Sequence, residues 1–256
     1  MALFQIHFYS AALGRNSAFN AVIPDKNAEK REKYPVVYLL HGLSDDCTSW
    51  LRRSSVERYA EKYNICVIMP DGGRSFYTDM KTGERYFEAL SRELPEFVER
   101  MLPVSTRRED TFAAGLSMGG YGALKLALRS PGRFAAAGIM SAVTDIPGKF
   151  ATKTFDMQMW RNIFGTPEEA VKDGNDLFSL AKNFPADVPR PRIAQFCGTE
   201  DFLLADNRSL ASALRGLDWP GYVYKEAPGA HSWEFWDVHI QDILHFFFNN
   251  GDEKNG

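Results

Sequence analysis

The sequence predicts an α/β fold with a mainly parallel central sheet and helices on both faces, and three observations predict it. Short apolar runs alternate with segments of helical period along most of the chain. Several runs, such as VVYLL at 36–40, are apolar throughout rather than at every second position, as in strands buried on both faces. With 256 residues, 45% hydrophobic and 25% charged, the chain is long enough to bury a sizeable core as one domain, 1–256.

Residues 3–9 and 16–23 carry β-formers and stop at Pro24, which predicts an antiparallel hairpin at a sheet edge. Residues 25–34 form a charged connector. The strand at 36–40 runs straight into His41-Gly42, and residues 49–63 read as a helix. A second buried strand, 65–69, is closed by Pro70-Asp71-Gly72-Gly73, and 87–102 is amphipathic at helical spacing. The unit recurs as strand 111–115, helix 120–130 and strand 134–140. From about 145 to 191 the rhythm breaks into an irregular section with several prolines, too long for a simple connector, which predicts an inserted cap. Strand 192–197, helix 205–216, strand 222–226 and helix 234–248 complete the pattern, with a frayed tail from 249.

Charge excludes some functions. There are 30 Lys plus Arg against 33 Asp plus Glu, with the basic residues scattered, so neither nucleic acid nor an anionic membrane is expected as a partner. The first residues alternate like a strand and lack the basic and apolar regions of a signal peptide, and no stretch approaches the roughly 18–20 apolar residues of a membrane span. Cys47, Cys66 and Cys197 have no metal-ligand spacing and are expected to be reduced. A soluble, cytoplasmic protein is the expectation.

Gly115-Leu116-Ser117-Met118-Gly119 is a GxSxG sequence lying where a predicted strand meets a predicted helix. That is the context of a nucleophile elbow, a strained turn that holds the serine hydroxyl above the sheet and needs glycines two positions either side. Serine is a weak nucleophile unless a base accepts its proton, and in α/β-hydrolases the acid and then the histidine follow it in the chain. His7 and His41 precede Ser117, while His239 and His245 lie inside the last predicted helix; His231, in the loop after the last strand, remains. The acid should follow the preceding strand, where Cys197-Gly198-Thr199-Glu200-Asp201 offers two carboxylates. Asp201 is preferred to Glu200, with Asp145 the second choice. Backbone N–H groups of Met118 and Leu43 are the expected oxyanion donors. Trp50, Tyr77, Tyr121, Trp160, Phe202 and Trp233 fall on element ends above the same sheet edge and are candidates for lining an acyl pocket. No metal site and no cofactor are expected. A binding protein retaining the scaffold without turnover is the rival from another class; the complete set of nucleophile, base, acid and oxyanion positions argues against it.

The stretches VVYLLHGLSDDCTSWLRRSSVERYA, VIMPDGGRSFYTD, FAAGLSMGGYGALKLAL, CGTEDFL and GAHSWEFWD together resemble the esterase D family of α/β-hydrolases, with tributyrin-type esterases the nearest likeness, over nearly the whole chain. The resemblance implies short-chain acyl ester hydrolysis by Ser117, Asp201 and His231, with Leu43 and Met118 at the oxyanion hole. The family also contains S-formylglutathione hydrolases, feruloyl and acetylxylan esterases and mycolyl acyltransferases. Thioesters, sugar esters and other acyl acceptors therefore stay open as alternatives. Family members are often homo-oligomers, which extends that expectation to this chain. Differences from the family concentrate in the 145–190 section.

Overall fold

The computed structural model describes residues 1–25 and 33–249. Residues 26–32 of the connector predicted over 25–34, and residues 250–256 of the tail predicted from 249, lie outside the described residues. Within them the strands are β1 Ala2–Ser10, β2 Arg15–Ile23, β3 Val36–Leu40, β4 Cys66–Pro70, β5 Thr111–Leu116, β6 Ala136–Met140, β7 Arg192–Gly198 and β8 Tyr222–Ala227. They form one sheet in the order β1-β2-β4-β3-β5-β6-β7-β8. β1 and β2 pair antiparallel, as do β2 and β4, and every pairing from β4 to β8 is parallel.

The helices are α1 Ser49–Arg53, α2 Val56–Tyr63, α3 Tyr86–Glu88, α4 Leu94–Met101, α5 Met118–Arg129, α6 Ile146–Thr152, α7 Met157–Phe164, α8 Pro167–Lys172, α9 Leu177–Lys182, α10 Leu204–Gly216 and α11 Trp233–Phe248. Alternation along β3 shows why the sheet is covered twice. Val36, Tyr38 and Leu40 join one apolar cluster with α5 and the α6–α9 segment, while Val37 and Leu39 join another with α1, α2 and α11. Chain order reverses at β3, whose neighbours are β4 and β5. At such a switch point the loops leaving the strands' C-terminal ends part, and a crevice opens between them. Here those loops begin at His41 and Ser117.

Two predicted helices differ from the structure. The helix expected over 49–63 breaks between α1 and α2, because Ser54 is extended and its Oγ donates to Trp50 O at 2.5 Å, while Ser55 N–H donates to Asp237 Oδ1 at 3.1 Å. Serine side chains compete with the helical ladder, and here a distant carboxylate takes the freed donor. The helix expected over 87–102 contains a π-helical turn, Ala89–Glu93, leading into Pro95. Proline has no N–H for the α-helical bond, so the widened turn lets the chain continue. The irregular section between β6 and β7 consists of α6–α9 with loops between them. It packs on α5: Tyr121 O–H donates to Asn175 O at 2.8 Å.

Lys125, on α5, lies fully buried under this section. Its ammonium donates to Thr78 Oγ1 and Asn175 Oδ1, each at 2.7 Å, with the Phe87 and Tyr121 rings 5.2 Å away. Both acceptors are neutral, and burial holds the amine well below the ordinary lysine value. A lysine whose folded pKa is depressed binds fewer protons folded than unfolded below about pH 10.4, so stability rises with pH toward that value and falls as pH drops. Chemical denaturation at about pH 7 and about pH 9.5 is expected to show a smaller pH-dependent gain in Lys125→Met than in the wild type.

Candidate active site

The turn between β5 and α5 carries the first element of the site. Ser117 has φ 52 and ψ −117, a conformation costing about 1–3 kcal/mol for a residue with a Cβ. Packing holds it there. A Cβ added to Gly115 would sit 2.5 Å from the Gly119 backbone, and one added to Gly119 would sit 2.6 Å from His41 O. These glycines let the turn press against the end of β3. Backbone hydrogen bonds from Ser117 N–H to Met140 O (2.9 Å) and from Val143 N–H to Ser117 O (3.3 Å) fasten it to the β6 side.

The loops after β7 and β8 meet over this turn. Thr199 N–H donates to Ala227 O at 2.9 Å and Glu200 N–H to Gly229 O at 3.0 Å, while Glu200 Oε2 accepts from Gly229 N–H. Glu200 therefore ties the loops together, and Asp145 caps α6 by accepting from Gly148 N–H at 2.8 Å. Asp201 alone of the three candidate acids reaches the histidine: its Oδ2 lies 2.9 Å and its Oδ1 3.1 Å from His231 Nδ1. His231 Nε2 lies 3.1 Å from Ser117 Oγ.

Asp201 is buried at its carboxylate yet held below the ordinary aspartate value. Burial is the largest influence and pushes it up, but hydrogen bonds from His231, the Leu203 N–H and Ser141 together outweigh it. Ser141 was not anticipated from sequence: it directly follows β6 with φ 49, and its Oγ accepts from Trp236 Nε1–H at 3.0 Å. A serine among small residues after a strand carries no distinguishing pattern, and its partner lies 95 residues along the chain. An ionised Asp201 requires the proton on His231 Nδ1, which leaves Nε2 free to accept from Ser117. The arrangement can move a proton from the Ser117 hydroxyl to His231 and stabilise the cation formed.

A cavity of about 400 Å³ opens over these residues. Gly42, Leu43, Ser117 and His231 line it, and Asp45, Arg53, Trp233 and Glu234 bring charge and an aromatic ring to it. Among the described residues no helix is long and apolar enough to cross a membrane.

The family profile Esterase, described as "Putative esterase", matches residues 10–247. The chain belongs to this esterase family. An acetyl esterase of Caldicellulosiruptor saccharolyticus is 32% identical over 271 residues, covering 98% of this chain and all of that protein. Among solved structures, the fluorophosphonate-binding serine hydrolase FphF of Staphylococcus aureus superimposes with a TM-score of 0.89 at 29% identity, over 97% of this chain and 99% of that one. The S-formylglutathione hydrolase FrmB of Staphylococcus aureus gives 0.87 at 30% identity, over 97% and 99%. The protein is a carboxylic ester hydrolase of the serine hydrolase class with the α/β-hydrolase fold.

The aromatic candidates of this esterase separate into two groups. Trp233 lines the cavity, and Phe202, 63% exposed, places its ring 4.7 Å from that of His231. Trp50, Tyr77, Tyr121 and Trp160 do not reach the cavity; all four are fully buried packing residues. Trp50 Nε1–H donates to Leu40 O at 3.1 Å and its ring backs Trp233, while Trp160 stacks on Phe155. Their large apolar surfaces go where burial stabilises most, inside the layers above the sheet.

The glycine contacts give a direct test of the elbow. Gly119→Ala is expected to cost about 1–3 kcal/mol of stability through overpacking and to abolish labelling of Ser117 by a fluorophosphonate. Thermal unfolding and labelling of the purified variant check both.

Proposed function

We propose that the esterase hydrolyses short-chain acyl esters through Ser117, His231 and Asp201 by way of an acyl-enzyme, in the cytoplasm and without a cofactor. The supporting observation is the hydrogen-bonded series from Asp201 through His231 to Ser117, with spacings of 2.9 and 3.1 Å. Ser117 Oγ attacks the ester carbonyl as His231 Nε2 takes its proton. The carbonyl oxygen becomes an oxyanion facing the N–H groups of Leu43 and Met118, the latter at the positive end of α5. As the intermediate collapses, His231 protonates the departing alcohol and the acyl group stays on Ser117. Water then gives its proton to His231, attacks the acyl carbon and releases the acid, returning the proton to Ser117.

The preference for short chains is supported by the likeness to the acetyl esterase of Caldicellulosiruptor saccharolyticus, 32% identical over 98% of this chain. The role of residues 145–191 in this reading is that of a cap over α5. A second reading, hydrolysis of thioesters, is favoured by the likeness to the S-formylglutathione hydrolase. Asp45, Arg53 and Glu234 at the cavity also suit a polar leaving group.

Rates on p-nitrophenyl esters from acetate to decanoate, with S-formylglutathione alongside, test the reading. The expected result is a maximum at short chains. Ser117→Ala and His231→Ala are expected to lower kcat on the order of 10⁶-fold and Asp201→Asn about 10⁴-fold. Wild-type rates in Ser117→Ala would overturn the mechanism, and a strong preference for the thioester would replace the substrate.

A further inference from the structure

The peptide joining Gly42 to Leu43 is held by its carbonyl. His41 Nδ1 lies 2.8 Å from Gly42 O, and Gly72 N–H donates to His41 Nε2 at 2.9 Å. A carbonyl oxygen only accepts and a backbone N–H only donates, so one form of the ring satisfies both contacts: neutral, with the proton on Nδ1. Asp71 Oδ1 lies 3.7 Å from Nε2, and its interaction with the His41 ring is the main influence holding the Asp71 carboxylate below the ordinary aspartate value. Asp45 N–H adds a second, longer donor to Gly42 O at 3.3 Å. In a trans peptide the C=O and the next N–H point in opposite directions, so fixing Gly42 O fixes the Leu43 N–H on the other side.

His41 is fixed in turn. It is 1% exposed, and its own carbonyl accepts from Tyr77 O–H at 2.9 Å. Tyr77 and Phe76 both hold φ of 50, rare for bulky side chains, in the loop after β4. Such strain persists where the surroundings over-determine it. Phe76 packs edge-on against Trp160 with ring centroids 4.9 Å apart, Thr78 accepts from Lys125, and Gly72 leaves room for the Tyr77 ring that any Cβ there would strike.

We propose that His41, held by Gly72 and Tyr77, is a positioning residue that aims the Leu43 N–H at the oxyanion. The inference rests on the esterase mechanism proposed above. It differs from a packing role in what it protects: the transition state rather than substrate binding or the fold. A displaced donor lowers kcat with KM unchanged, and the loss is largest where the developing charge sits on oxygen, because sulfur is a weaker hydrogen-bond acceptor.

The test compares kcat, KM and thermal midpoint on a p-nitrophenyl ester and its thiono (C=S) analogue for the wild type, His41→Ala, His41→Asn, Tyr77→Phe and Ser117→Ala. His41→Ala is expected to lose about 10- to 100-fold in kcat on the oxygen ester, less than complete removal of a donor, and to lower the oxo-to-thiono rate ratio. His41→Asn, whose amide N–H can reach Gly42 O as Nδ1–H does, is expected to recover most of both. Tyr77→Phe should show the same pattern at smaller size, and it carries the test if His41→Ala does not fold. An unchanged oxo-to-thiono ratio in the folded variants, or a loss expressed only in KM, overturns the positioning role. Full activity in Ser117→Ala, or a wild type inert on both esters, instead overturns the mechanism beneath it.

Discussion

The left-handed turn at Ser117 is the constraint around which the other parts arrange themselves. A serine there is unfavourable by itself, so the neighbouring chain must leave room and then press in. Gly115 and Gly119 leave the room, and the end of β3, with the carbonyls of Leu40 and His41, presses in. The same contact brings the loop beginning at His41 beside the hydroxyl, because β3 and β5 are neighbours paired in parallel from Val36↔Thr111 to Leu40↔Gly115. One close packing contact thus sets both the exposure of Ser117 and the place of the Gly42–Leu43 peptide. On the other side, β7 and β8 deliver Asp201 and His231 on loops stitched to each other before either touches Ser117.

Polar groups at this site are supported from behind by buried partners. Asp201 keeps its charge in a largely dry position because the His231 ring, the Leu203 N–H and Ser141 converge on it, and Trp236 in turn fixes Ser141. An ionised carboxylate without such donors would take up a proton instead. The Trp236 ring also stands perpendicular to the His231 ring, with centroids 4.9 Å apart, limiting its rotation. Helix α11 therefore serves the site through its first turns while its later residues, Ile240, Ile243, Leu244 and Phe247, cover one face of the sheet.

Much of this was legible in the sequence, for identifiable reasons. Strands buried on both faces write themselves as continuous apolar runs, and the GxSxG glycines mark a turn that no other residue type accommodates, so the sheet and Ser117 were readable directly. Asp201 and His231 could be named as candidates because each closely follows a predicted strand, and the family resemblance implied the same pair. What escaped depends on contacts far apart in the chain. The break at Ser54–Ser55 needs Asp237, and the support of Asp201 needs Ser141 and Trp236. The aromatic candidates show the limit most clearly. Trp50, Tyr77, Tyr121 and Trp160 lie on elements that do converge above the sheet, but whether a side chain faces the cavity or the packing beneath it is decided by rotamers and neighbours that spacing does not encode.

The central claim is that Ser117 carries the acyl group during turnover. Acid quenching of the wild type within the first turnovers on a short-chain p-nitrophenyl ester, followed by intact-mass and peptide mass spectrometry, measures this directly. The account predicts an added mass equal to one acyl group on the peptide containing Ser117, absent in Ser117→Ala. An acyl adduct on another residue, or one that persists in Ser117→Ala, would contradict it.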